Sequence, residues 1–170
     1  KVHNYNKGES WYLEHFEDAE KGETVGEKTP DYIWANGHGV EGHDPMVHRN
    51  IRETLPAAKL IVLLRNPVDR AISAAKHIIR SGRVSPQHSL DELLVGSEYE
   101  LISGHGVLEY GYYYQHLAAY LDLFPSSRLL ALFFEEDVVE SPRKGLKKVT
   151  RFLNLPWTDS IDGINEKVNP

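Results

Sequence analysis

The segment Lys59-Leu60-Ile61-Val62-Leu63-Leu64 is apolar at every position after its first, and Arg65-Asn66-Pro67 follows at once. A strand with one wet face alternates apolar and polar residues. A run without that alternation predicts a strand buried on both faces of a parallel sheet. Pro67 suits the first turn of a helix, and the pattern beyond it predicts a helix to about Ser81, with Gly82 just past its end. A second run of the same kind covers Arg128 to Phe134, and an amphipathic helix is expected over Pro142 to Leu153, with Leu146, Val149, Phe152 and Leu153 on one side. Strands alternating with helices specify an α/β fold, a parallel sheet flanked by helices. Such folds hold ligands at the carboxyl ends of their strands. Arg65 is the first polar residue at that position.

Elsewhere the pattern is shorter-ranged. Residues 9–17 read as a helix with Trp11, Leu13 and Phe16 as its apolar positions, and residues 18–23 as a loop. Thr24 to Gly26 reads as extended, and Pro30 biases Thr29 away from helix. Residues 36–43 hold three glycines and two histidines and read as a loop, and a helix is expected over Pro45 to Leu55. Ser89 followed by Glu92 three positions on forms a capping box. A longer helix is expected over roughly 107–123, with Leu117, Tyr120, Leu121 and Phe124 in phase and Pro125 closing it. The tail from Pro156 shows no periodicity.

A length of 170 residues with 41% hydrophobic content suits one domain with a real core. The absence of cysteine excludes a disulfide scaffold, thiolate metal sites and a cysteine nucleophile. No apolar run approaches the ~20 residues that cross a bilayer. His38, His43 and His48 lie five apart and read as a solvated loop, so no metal is expected. The net charge of −6 argues against nucleic acid as a partner. That charge is uneven: residues 59–83 carry +5 and the remainder −11. A basic island in an acidic chain is either a solvated helix face or an anion site. Asn66, Arg70, Ser73 and His77 fall on one stripe of the helix after Pro67, while Val68, Ile72, Ala75 and Ile79 should pack on the sheet. Free N–H groups at a helix start attract anions, and arginine adds a planar fork suited to phosphate. The spacing alone fits equally an Arg70 that simply pairs with an acid.

Arg65-Asn66-Pro67-Val68-Asp69-Arg70-Ala71-Ile72-Ser73, directly after an apolar strand, resembles the 3′-phosphate-binding motif of sulfotransferases that use 3′-phosphoadenosine 5′-phosphosulfate. Other segments agree in order. Lys7-Gly8-Glu9-Ser10-Trp11-Tyr12-Leu13-Glu14-His15-Phe16 is similar to the KGxxWYxxHF segment of the heparan-sulfate-type branch, and Glu27-Lys28-Thr29-Pro30-Asp31-Tyr32 to its EKTPxY segment. Gly111-Tyr112-Tyr113 with Tyr120-Leu121 and Phe124-Pro125, then Phe133 to Asp137, then Phe152-Leu153-Asn154-Leu155, resemble its later helix, its EDL turn and its FLGL helix end.

The resemblance implies a P-loop-NTPase-like parallel sheet in a single domain over 1–170. It also implies transfer of a sulfuryl group from 3′-phosphoadenosine 5′-phosphosulfate to a hydroxyl or amine of a carbohydrate or small-metabolite acceptor, releasing adenosine 3′,5′-bisphosphate. Arg65 and Ser73 would hold the 3′-phosphate, with Arg70 mostly structural. Lys28 would sit at the reaction centre, Glu27 would steer it or act as base, and His77 would face the acceptor. The bland counterparts are a surface ion pair for Glu27 and Lys28, and a polar stripe merely continued by His77. The family's 5′-phosphosulfate loop and its C-terminal cofactor segment find no match, so the chain is expected to be incomplete at both ends. Those departures leave two alternatives: a fragment of a P-loop-type kinase, or a non-catalytic sulfotransferase-like binding domain. The acceptor is expected to be a small molecule, a carbohydrate or a carrier-bound group. The cysteine-free composition favours a bacterial cytoplasm over a Golgi lumen.

Overall fold

The computed structural model describes residues 7–35 and 46–160. The chain divides after Pro30 into two units. In the first, helix α1 spans Gly8–Glu14. Its apolar side is aromatic: Trp11 meets His15 edge-on at 4.4 Å between ring centres, Tyr12 meets Phe16 at 5.3 Å, and the Lys7 ammonium lies over the Trp11 ring. Residues 23–29 then run without regular structure.

The second unit is built on two parallel strands. Strand β1 (Leu60–Leu64) pairs with β2 (Leu129–Phe133) in the register Leu60 with Leu129 through Leu64 with Phe133. Helix α2 covers Val47–Thr54, α3 Pro67–Arg80, α4 Leu90–Leu94, α5 Glu100–Ser103, α6 Tyr113–Leu121 and α7 Pro142–Leu153. The β1–α3 and β2–α7 alternation is the expected α/β arrangement. None of the helices among the described residues is long and apolar enough to cross a membrane.

Apolar residues collect in two clusters. The first joins Ala71, Ala75 and Ile78 of α3 to Leu93 of α4, Ile102 of α5, Val84 and Val107. The second joins Ala119 and Tyr120 of α6 to Phe124 and Ala35, with Ile51, Leu60 and Leu129 packed against it. The capping box at α4 forms as expected: Ser89 Oγ accepts from Glu92 N at 3.2 Å while the Glu92 carboxylate accepts from Ser89 N at 2.8 Å. The bond from Ser89 N, and then one that Ser89 Oγ donates to the same carboxylate at 2.9 Å, hold the Glu92 carboxyl below its ordinary pKa.

Four expectations are corrected. The strands are not buried on both faces, since Ile61 and Leu63 are exposed and only Leu64 of β1 is fully buried. Their apolar character therefore exceeds what this two-stranded sheet encloses. The inner face of α3 is Ala71, Ala75 and Ile78, turned onto α4 and α5 rather than the sheet, and Val68 is 64% exposed. Small residues on that face permit a close helix–helix approach, which apolar periodicity alone does not locate. The helix expected over 107–123 is two pieces: a 3-10 turn over Glu109–Gly111, then α6 from Tyr113. Tyr112, at φ −80° and ψ 56°, makes the break. His48 is not in a solvated loop but buried on α2, its ring 5.9 Å from that of Tyr120. The expected loop over 36–43, with His38 and His43, lies outside the described residues.

Candidate functional site

The ends of β1 and β2 open onto a shallow cleft of about 320 Å³, lined by Arg65, Asn66, Pro67, Tyr113, Phe133 and Glu135 among others. Arg65 enters it directly from β1. Its backbone is clamped by the Tyr113 hydroxyl, which donates to Arg65 O at 2.9 Å and accepts from Arg65 N at 3.4 Å. The guanidinium lies over the Phe134 ring, 5.4 Å from its centre. Arg65 Nε makes no hydrogen bond among the described residues, and stands 3.9 Å from Glu135 Oε1.

Asn66 is the N-cap of α3. Its Oδ1 accepts from Val68 N at 3.0 Å and from Asp69 N at 3.3 Å. Asn66 N itself donates to Glu135 Oε1 at 3.1 Å, and Pro67 has no N–H to offer. The sequence-level expectation of free N–H groups at this helix start is therefore corrected: each is already taken. An anion here must rely on side chains, or replace the Glu135 carboxylate.

Ser73 is half-buried on α3, and its hydroxyl makes no hydrogen bond among the described residues. It lies six residues beyond Pro67, roughly 9 Å along the helix axis. No hydrogen bond joins it to Arg65, and it does not line the cleft. His77 is exposed one turn further on.

Arg70 leaves the polar stripe. It turns inward and donates through Nη2 to Val107 O. Burial draws its pKa down, opposed by Tyr113, Glu109 and Tyr110. Gly111 lies alongside, where an added Cβ would make only ordinary contacts, 3.5 Å to Pro67 and 3.6 Å to the Arg70 guanidinium. Arg70 thus ties α3 to the segment before α6, neither pairing with an acid nor facing the cleft.

Glu27 and Lys28 belong to the first unit, in the extended segment, and both are exposed. The ion pair between them does not form. Partial burial, and then the Glu27 carboxylate beside it, raise the Tyr12 pKa, so Glu27 faces Tyr12. Lys28 makes no ion pair among the described residues.

Two features were not anticipated from the sequence. The first is Glu135, whose approach to Arg65 and Asn66 spans about seventy residues of chain and leaves no local signal. The second is the support beneath it. The chain leaves β2 through a π-helical turn over Phe134–Glu140. Within that turn Asp137 is buried, accepting from Phe133 N at 3.0 Å and from Lys148 Nζ at 2.6 Å. The Lys148 bond and then the Phe133 N–H hold the Asp137 carboxyl below the ordinary aspartate value.

A sequence profile of the family described as "Sulfotransferase domain" matches residues 37–169. The human bifunctional heparan sulfate N-deacetylase/N-sulfotransferase 2 is 28% identical over 159 residues, which cover 89% of this chain and 17% of that protein. The human heparan sulfate glucosamine 3-O-sulfotransferase 6 is 30% identical over 151 residues, covering 89% of this chain and 41% of that protein. The chain therefore spans well under half the length of these relatives. A sulfotransferase crystal structure from Alicyclobacillus acidocaldarius superposes with a TM-score of 0.74 at 28% identity, covering 96% of this chain and 63% of the other.

Proposed function

Since the chain belongs to the sulfotransferase domain family, we propose that it forms the 3′-phosphate-binding part of an enzyme that sulfates a hydroxyl or amine. The donor is 3′-phosphoadenosine 5′-phosphosulfate, and the acceptor is a carbohydrate or small metabolite. The observation that carries this reading is Arg65 at the carboxyl end of β1, with its backbone clamped and its Nε without a hydrogen bond among the described residues. The Ser73 hydroxyl, two turns along the following helix, supplies a second uncommitted donor. These two side chains fit a phosphate, whereas the helix amides do not contribute because Asn66 and Glu135 already take them. The relatives named for heparan sulfate support a carbohydrate acceptor. The family match favours sulfuryl over phosphoryl transfer, and so disfavours the kinase alternative.

When bound, the donor supplies a sulfuryl group already activated by its phosphate leaving group. The acceptor oxygen or nitrogen forms the new bond to sulfur as the bond to the 5′-phosphate breaks, and the acceptor proton passes to a base. Such transfers depend on positioning and on neutralising charge more than on covalent chemistry with the protein. Arg65 and Ser73 fix the nucleotide through its 3′-phosphate. In this reading Lys28 neutralises charge at the transferring group, Glu27 orients Lys28 or takes the proton, and His77 meets the acceptor.

The test is thermal denaturation with adenosine 3′,5′-bisphosphate. At about a hundred times Kd the ligand adds roughly 2.7 kcal/mol, which raises Tm by about 5–10 °C. Arg65→Ala should abolish the rise. A rise that survives Arg65→Ala would remove Arg65 from the site.

A further inference from the structure

Resting on the reading of Arg65 as a phosphate ligand, we propose that Glu135 is a built-in competitor for that phosphate and sets the affinity of the nucleotide site. The Glu135 carboxylate already occupies the position an incoming anion would take. It accepts the Asn66 N–H at 3.1 Å and stands 3.9 Å from Arg65 Nε, so one carboxylate meets both the backbone donor at the start of α3 and the permanent cation of the cleft.

The contact is held by the fold rather than by chance rotation of a surface glutamate. Glu135 is the second residue of the π-helical turn, and that turn is anchored by the buried Asp137 bonded to Phe133 N and Lys148. Its neighbour Phe134 lies beneath the Arg65 guanidinium. On the other side Tyr113 fixes the Arg65 backbone. Both partners are therefore presented to each other by restrained backbone.

A phosphate reaching Arg65 has two courses. It displaces the carboxylate, which then loses the Asn66 N–H and the guanidinium. Otherwise it shares the guanidinium with the carboxylate and meets like charge at short range. Either course lowers affinity, by an amount typical of a half-exposed charge pair. Both side chains are about two-fifths exposed, which places the effect at about two- to fivefold in Kd. The chemistry predicts selectivity as well. The penalty falls on a group bound at Arg65, so it acts on the 3′-phosphate and leaves a nucleotide without one unaffected.

The experiment is calorimetric titration of the full chain and its Glu135→Gln variant with adenosine 3′,5′-bisphosphate and with adenosine 5′-phosphate. Glutamine keeps an oxygen for the Asn66 N–H and removes the charge, so the turn should be retained, and an unchanged Tm checks this. The expected result is binding of the bisphosphate about two- to fivefold tighter in Glu135→Gln, with adenosine 5′-phosphate unchanged. The gain should vanish in the Arg65→Ala background. Equal or weaker bisphosphate binding in Glu135→Gln overturns the proposal and makes Glu135 a positioning residue for Arg65. An equal gain for both nucleotides also overturns it, by showing a general charge effect. Bisphosphate binding by neither protein at millimolar ligand overturns the phosphate reading itself, and this inference with it.

Discussion

Arg65 owes its place to two partners that lie far away in sequence. Tyr113, forty-eight residues on, bonds to both its N–H and its carbonyl. Glu135, seventy residues on, meets its guanidinium. One hydroxyl that both donates to and accepts from Arg65 ties the end of β1 to the start of α6. Tyr113→Phe keeps the ring and removes both bonds. It should cost about 1–2 kcal/mol of stability in urea denaturation. It should also weaken adenosine 3′,5′-bisphosphate binding relative to adenosine 5′-phosphate. Unaltered stability and unaltered nucleotide preference would show that the clamp is incidental.

Helix α7 shows how an element far from the ligand supports the site. Its position is set by a close approach at Gly145, where a Cβ would lie 2.1 Å from the Asp137 carbonyl oxygen. That contact is with backbone, so nothing flexible can yield. Gly145→Ala should therefore destabilise by about 1–3 kcal/mol or more, read as a lowered Tm. It should also disturb the π-helical turn that presents Glu135. A Tm equal to that of the unaltered protein would mean that α7 can shift without cost. Local rules located α7 and the α4 capping box well, because each depends on residues within one or two turns. They failed for α6, where the chain breaks at Tyr112, at φ −80° and ψ 56°, and apolar periodicity gives no sign of the break.

Across the whole molecule, what the sequence disclosed was the arrangement of strands, helices and the arginine at the β1 end. The β1 apolar run and its Arg65 terminus follow from pattern and from the rule for strand ends. The exposure of Ile61 and Leu63 does not, because burial depends on what covers a strand rather than on its own residues. Spacing likewise hid the inward turn of Arg70, for which only the family resemblance implied a structural role, and the approach of Glu135, since each is decided by a partner dozens of residues away. The buried Asp137–Lys148 pair carries a pH signature. The folded state holds the Asp137 carboxyl below the ordinary value of 3.8. Its contribution is therefore present above that pH and is lost as pH falls through the lower, folded value. The stability advantage of the unaltered protein over Asp137→Asn should be constant near neutrality and shrink below pH 4, followed by Tm. A gap that stays constant into acid would assign the pair no such role.

In the function proposed, Arg65 reads a 3′-phosphate at the end of a parallel strand. Calorimetric titration with adenosine 3′,5′-bisphosphate and with adenosine 5′-phosphate, on the full chain and on Arg65→Ala, tests it most directly. The full chain should prefer the bisphosphate, and Arg65→Ala should bind the two nucleotides alike. Equal affinity of the unaltered protein for both nucleotides would contradict it.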